Sequence, residues 1–241
     1  MRYGIFSDVH SNLPALDSVL RAYSQERIDK YVCIGDVVGY ASQPRECIAK
    51  IKDLNAILVA GNHDWACVDL ISSRYFNPIA LEAVEWTKDR LSDSEKGFLK
   101  SQELVFSENN FILAHGSLDS PEDFNYLFDQ LDAGVTFELM SVDICFVGHT
   151  HIPGVFVKDN NRIDYIQEYP LHLSPLKKYI INVGSVGQPR DKNPQASYCV
   201  YDSDRGIIEI KRVDYDIKQA QEGILRVGLP SFLAERLVSG K

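Results

Sequence analysis

The chain has few cysteines, no long apolar run and no surplus of positive charge, and each lack excludes a class of protein. Its 241 residues include five cysteines. That odd number, with no C-x-x-C pair, argues against a disulfide framework. Cys33, Cys145 and Cys199 fall in apolar runs and read as buried filler, while Cys47 and Cys67 carry no signal. A reducing, cytoplasmic setting fits this usage. No apolar stretch approaches the length that spans a bilayer. The chain enters a strand-like run at once, with no basic-then-apolar leader. The formal net charge is −9, with no basic stripe and no interleaving of aromatic and basic residues. A long nucleic acid is therefore not expected as a partner, because a phosphate backbone needs a cationic surface. A small phosphate anion remains compatible if metal ions supply local positive charge. Internal repeats and low-complexity segments are also missing. The length suits one α/β domain over 1–241.

What the chain does have is histidine in unusual places. Five of its six histidines lie in short polar clusters, each directly after an apolar run. The clusters are Ser7-Asp8-Val9-His10, Gly61-Asn62-His63-Asp64, His115-Gly116 and Gly148-His149-Thr150-His151, with Gly35-Asp36 as a fifth block of the same kind. The preceding runs, such as Tyr3-Gly4-Ile5-Phe6 and Ile144-Cys145-Phe146-Val147, are rich in β-branched and aromatic residues and read as buried strands. Each candidate thus sits just past the carboxyl end of a strand, where sites of open α/β sheets form. Asp8 and His10 are two residues apart, as are His149 and His151. In an extended chain such pairs point to one side. Imidazole, carboxylate and amide oxygen together make a ligand set for divalent metal ions. The candidates exceed one tetrahedral site and suit two neighbouring ions sharing a carboxylate.

The rest of the chain supplies helices and further strands. Leu13, Leu16, Leu20 and Tyr23 form a helical stripe behind Asn12 as N-cap, with Pro14 in the first turn. A second helix is expected over about 42–53 and a terminal one over 216–227. The segment 65–104 looks helical and carries no metal-type cluster. It is either a helical cap over the site or a set of crossover helices packed on the sheet. Short strands dominate 154–213 and are expected to form a second sheet facing the first. His172 reads as a plain surface histidine.

The order D-x-H, G-D, G-N-H-D, H, G-H-x-H, running from Asp8 to His151, resembles the calcineurin-like metallophosphoesterase superfamily. Ile181-Asn182-Val183-Gly184-Ser185 is similar to a downstream strand and turn of that family. Gly35-Asp36-Val37-Val38-Gly39-Tyr40 and the overall length look most like its small bacterial and archaeal phosphodiesterases. The resemblance implies a four-layer α/β/β/α sandwich with two facing mixed β-sheets. It implies that Asp36 bridges two ions, with Asp8, His10 and His151 completing one site and Asn62, His115 and His149 the other. Mn²⁺ is taken first, with Fe, Ni²⁺, Zn²⁺ or Co²⁺ as alternatives, because mixed sites of this kind accept several metals. His63 would face the substrate as general acid or electrostatic partner. Asp64 either orients that imidazole or opens a helix as an N-terminal acid.

The implied activity is hydrolysis of small phosphodiesters or nucleotides by in-line attack of a metal-activated hydroxide. Asn12, Tyr40, Ser185 and Arg190 are candidates for substrate contact. Arg190 follows a glycine-containing turn whose amides suit a phosphate. Gly39 and Tyr40 depart from the G-D-x-V-D-R-G block of the family's protein phosphatases, which removes a phosphate-gripping arginine. Two other functions share the fold: a non-catalytic binding scaffold like the retromer subunit, which lacks the histidine matching His63, and a nuclease of short oligonucleotides. Oligomeric state is not assigned from the sequence.

Overall fold

Two six-stranded sheets face one another in the computed structural model, which describes residues 1–108 and 110–241. In the first sheet, β1 (Arg2–Phe6) pairs in parallel with β2 (Lys30–Cys33), which pairs in parallel with the two-residue β3 (Ile57–Leu58). On its other side β1 pairs antiparallel with β11 (Ala196–Asp202), followed by β12 (Ile207–Val213) and β9 (Leu171–His172). In the second sheet, β4 (Val105–Glu108), β5 (Phe111–Ala114), β6 (Ile144–Val147), β10 (Lys178–Asn182), β7 (Gly154–Asp159) and β8 (Arg162–Ile166) lie side by side. Strands joined through a helix (β1–β2, β2–β3, β5–β6) pair in parallel, and the hairpins β4–β5, β7–β8 and β11–β12 pair antiparallel.

The alternation of side chains along the strands sets the layers. Ile5, Val32 and Ile34 from the first sheet meet Phe111, Leu113, Phe146 and Ile181 from the second in the space between the sheets. Phe6, Cys33 and Leu58 face the other way, onto α1 (Leu13–Tyr23) and α2 (Pro44–Asp53). Cys145, Val147 and Ile180 likewise turn out of the second sheet towards Ala133 and Phe137 of α6 (Gln130–Leu139). The result is helix, sheet, sheet, helix, with inner strands such as β5 and β6 buried on both faces and the edge strands β4 and β8 partly exposed. All five cysteines are free and buried. Among the described residues no helix is long and apolar enough to cross a membrane.

Two expectations need correction. The strands of 154–213 do not make a sheet of their own. β7, β8 and β10 extend the second sheet, whereas β9, β11 and β12 extend the first. Each hairpin completes a sheet begun by an earlier parallel set, because both of those sets have an edge left to pair. The run before Asn62 is also shorter than its apolar length suggests, since only Ile57 and Leu58 are strand and Val59 bridges to Glu103.

The segment 65–104 is divided. It begins within the short α3 (Asn62–Ala66) and contains α4 (Pro78–Lys88) and α5 (Asp93–Lys100). Leu99 of α5 joins the outer core beside α2. Ala80 and Ala83 of α4 pack instead with α7 (Ile217–Arg226) and α8 (Ser231–Glu235), against Tyr40 and Ala41. Phe76, Asn77 and Ala80 line a cavity beside the histidines.

Candidate metal centre

The polar clusters lie in loops bonded to one another. The turn after β1 is tied to the turn after β2 by hydrogen bonds from the Asp8, His10 and Ser11 amides to the carbonyls of Gly35, Asp36 and Val37. The Gly148 amide donates to the His115 carbonyl, and the Gly187 amide to the Asp8 carbonyl. The backbone in these turns is left-handed at non-glycine residues: φ is +55° at Asp8, +50° at His10, +51° at Asp36, +67° at His149 and +61° at His151. The paired residues therefore converge through tight turns and not, as expected, through an extended chain. Such conformations cost on the order of 1–3 kcal/mol each and gather at functional sites. Glycine is required where backbones meet: a Cβ on Gly61 would lie 2.1 Å from Asp36 Oδ1.

The side chains then meet at one point. His151 Nε2 lies 3.2 Å from Asp8 Oδ1, and His10 Nε2 lies 3.5 Å from Asp36 Oδ2. His115 Nε2 is 3.3 Å from the same Asp36 oxygen and 3.8 Å from Asp8 Oδ1. Ligand-type atoms fall within 4.8 Å of one another in three overlapping groups: Asp8, His10 and His151; His10, Asp36 and His63; and Asp36, His115 and His149. All of these residues are buried.

Three rings are oriented alike. His10 Nδ1 donates to the Val38 carbonyl at 3.1 Å, His115 Nδ1 to Ile34 at 2.6 Å, and His151 Nδ1 to Gln188 at 2.6 Å. A carbonyl only accepts, so Nδ1 holds a proton, and whenever the ring is neutral its Nε2 presents a lone pair. This is how metal-ligating histidines are held. His10 and His151 bring their Nε2 atoms to 3.1 Å, where two lone pairs have no proton to share. His149 has no such anchor. Its ring is stacked on Tyr126 at 3.8 Å between centroids and an interplanar angle of 14°.

A divalent cation fits this arrangement. Asp8 Oδ1, Asn62 Oδ1 and His115 Nε2 are buried and have no hydrogen-bond partner among the described residues, a costly condition. They are oxygen and imidazole donors suited to such an ion. The electrostatics also favour an ion. Burial alone would raise the carboxyl of Asp8, but His151 and His115 hold it below the usual range. Asp36 is held low in the same way, chiefly by His115. Burial lowers His10, His149 and His151. His115 goes the other way: burial opposes its charge, but Asp36 raises it to about 9.

His63 stands at the border between cluster and cavity. Its amide donates to Asp36 Oδ1 at 2.8 Å. Burial lowers its imidazole to about 4, against the pull of Asp36. The ring rests on Gly39, where φ is +99° and a Cβ would lie 2.5 Å from His63 Nδ1. Tyr40 covers it at 4.4 Å between centroids. Asp64 does not orient the imidazole. Its carboxylate accepts from the amides of Val38 and Gly61, fastening the Asp36 turn to the start of α3. Burial and the charge of Asp36 raise it to about 7.

The four candidates for substrate contact separate. Tyr40 lines the cavity. Arg190 lies beside it, its guanidinium 5.8 Å from the Tyr40 ring centroid and hydrogen-bonded to Gln188. Asn12 and Ser185 are committed elsewhere. Asn12 caps α1 by accepting from the Ala15 amide and donates to the Gly187 carbonyl. Ser185 donates to the Asp8 carbonyl and accepts from the Gln188 amide. Neither lines the cavity, because both are buried as braces of the turns. Sequence reasoning gave no role of its own to Asn182, whose amide group donates to the Gly148 carbonyl and the Thr150 hydroxyl, and missed Glu122, Asp123, Phe124 and Tyr126, which line the cavity. The aromatic pair Phe124 and Tyr126, in a polar stretch soon after His115, was the available signal.

Comparison with known proteins agrees with this geometry. A family model described as the calcineurin-like phosphoesterase superfamily domain matches residues 1–206. The chain is 42% identical over 242 residues to an uncharacterized protein of Methanocaldococcus jannaschii, covering 98% of this chain and 97% of the relative. It is 27% identical to the phosphodiesterase YfcE of Escherichia coli, over 85% of this chain and 89% of that one. Among solved structures, a metallophosphoesterase from Sphaerobacter thermophilus superposes over the whole of both chains with a TM-score of 0.88 and 37% identity. A hypothetical protein from Pyrococcus horikoshii shares the fold with a TM-score of 0.82 at 19% identity, over 100% of this chain and 98% of that one.

Proposed function

Because the chain belongs to the calcineurin-like phosphoesterase superfamily, we propose that it is a dinuclear metal-dependent hydrolase of small phosphodiesters or nucleotides. The observation that carries this reading is the set of buried donor atoms, without a partner among the described residues, on Asp8, Asn62 and His115, the last lying 3.3 Å from Asp36 Oδ2 and 3.8 Å from Asp8 Oδ1. Asp36 would be shared between two ions, with Asp8, His10 and His151 on one side and Asn62, His115 and His149 on the other. Bound there, divalent ions such as Mn²⁺ supply Lewis acidity and a nucleophile near neutral pH.

The protein's own groups do the rest. The carbonyls of Val38, Ile34 and Gln188 hold three imidazoles with Nε2 inward, so no reorientation is needed during the reaction. His63 reaches the ester from the cavity side and donates a hydrogen bond to the departing oxygen. Arg190, held by the neutral partners Gln188 and Tyr40, meets no carboxylate among the described residues and can pair with a phosphoryl oxygen. Tyr40 shields His10 and His63 from solvent. The glycine at 39, which replaces the acid of the protein-phosphatase block, leaves room for His63.

The test is turnover in the presence of Mn²⁺ of a nitrophenyl phosphodiester, a nitrophenyl monoester, a phosphopeptide and plasmid DNA. The diester should show the highest kcat/KM. Best turnover of phosphopeptide or plasmid overturns the substrate assignment, and no turnover of any of them favours a binding scaffold. In the same assay His63→Ala should keep near-normal metal content and lose on the order of 10²-fold in kcat on esters with poor leaving groups.

A further inference from the structure

The cavity beside the histidines is larger than a phosphoryl group requires. It has a volume of about 490 Å³, within the range of small-molecule sites. Asn62, His63 and His149 form one part of its lining, so it opens on the cluster. Asn62 Oδ1 and His63 Nδ1 are buried and have no hydrogen-bond partner, and the His63 side chain is only 3% exposed. Tyr40, Phe76, Phe124 and Tyr126 contribute aromatic walls. Glu122 and Asp123 are the acidic residues of the lining, and among the described residues no lysine or arginine contributes to it.

These features restrict the occupant. Aromatic walls favour a flat, largely apolar ring. The exposed carboxylates of Glu122 and Asp123 repel a second phosphate and accept hydrogen bonds from ring or exocyclic N–H donors. Aromatic groups beside carboxylates also suit a quaternary ammonium, but that ligand needs exposed ring faces. Tyr126 is stacked between His149, at 3.8 Å, and Phe128, at 4.9 Å, so it offers its edge and hydroxyl. Phe124 packs perpendicular to Trp65, at 5.7 Å between centroids. Edges and hydrogen-bond acceptors together match a heteroaromatic base better than a compact cation.

We infer that this cavity is a subsite for a nucleobase, which makes the substrate class a nucleoside phosphate ester carrying no further phosphate on the base side. The phosphorus end of this statement rests on the phosphoesterase reading; the base end does not. Glu122 and Asp123 are specificity-determining residues that read the donors of the base.

The experiment is calorimetric titration of the full-length protein, with and without Mn²⁺, using adenosine and choline chloride as probes. Adenosine should bind, and choline should not. The Glu122→Gln, Asp123→Asn double variant, altered only at exposed positions, should keep its melting temperature and bind adenosine at least fivefold more weakly. Choline binding in place of adenosine, binding of neither, or an unchanged adenosine affinity in the variant overturns the subsite. Adenosine contains no phosphorus, so the two readings fail separately. Loss of the subsite leaves diester turnover standing, while adenosine binding without turnover of any ester removes the phosphoesterase reading alone.

Discussion

At the scale of single residues, Asp36 has the most to hold. Its Oδ1 accepts from the His63 amide, and its Oδ2 faces both His10 and His115. Asp36→Ala should therefore remove most bound metal and nearly all turnover. Asp36→Asn, which keeps the shape and drops the charge, should also lose metal. Elemental analysis checks both, and a variant that retains two ions per chain rules out a bridging role. His115 makes a second prediction. In the protein alone its pKa is raised from 6.5 to about 9, so it carries a proton at neutral pH. A metal ion must displace that proton. Affinity for the metal should then rise by up to tenfold per pH unit below about pH 9 and level off above it. Calorimetry in buffers of different ionisation enthalpy would show the released proton, and a pH-independent affinity would refute the assignment.

At the scale of elements, the turns matter more than the strands that carry them. Asn12 joins the start of α1 to the Gly187 carbonyl. Asn12→Ala removes a helix cap and a buried hydrogen bond, which together cost about 1–3 kcal/mol. A drop in melting temperature with little change in KM is expected. A large rise in KM with stability intact would instead make Asn12 a substrate contact. Gly39 joins the β2 turn to α3 through the His63 ring. Gly39→Ala places a methyl 2.5 Å from His63 Nδ1 at a φ of +99°, so the ring must move. Turnover should fall at least tenfold while metal content, set by other residues, stays near normal. Loss of the metal together with turnover would place His63 among the ligands.

At the scale of the whole molecule, charge sets what can approach. A net charge of −9 repels anions except at the metal centre and near Arg190. Raising ionic strength from about 0.01 to 0.15 M shortens the Debye length from roughly 30 to 8 Å. For a small anionic diester, kcat/KM should rise by up to a few-fold over that range, because repulsion is screened. An enzyme that steers polyanions through basic surface would show the reverse, and a fall in kcat/KM would overturn this reading.

The ligand blocks and the strands before them were legible because both are local. A short apolar run bounded by turn residues reads as a buried strand, and Asp8, His10, Asp36, Asn62, His115, His149 and His151 each sit just past one or within its turn. The N-cap at Asn12 was legible for the same reason. What depended on pairing partners was not. The distribution of β7 to β12 between two sheets turns on which strand edges remain open, and nothing in a strand's own residues records that. The uses of Asn12 and Ser185 as braces, of Asp64 as a clamp between turns, and of Tyr126 as the support of His149 depend on neighbours more than twenty residues away in sequence. The sequence by itself determined which side chains carry donor atoms of metal-ligand type and where most of the strands before them lie. Only the tertiary structure decided which of those chains face one point and what surrounds them, because a contact between distant residues is a property of the packing and not of either residue.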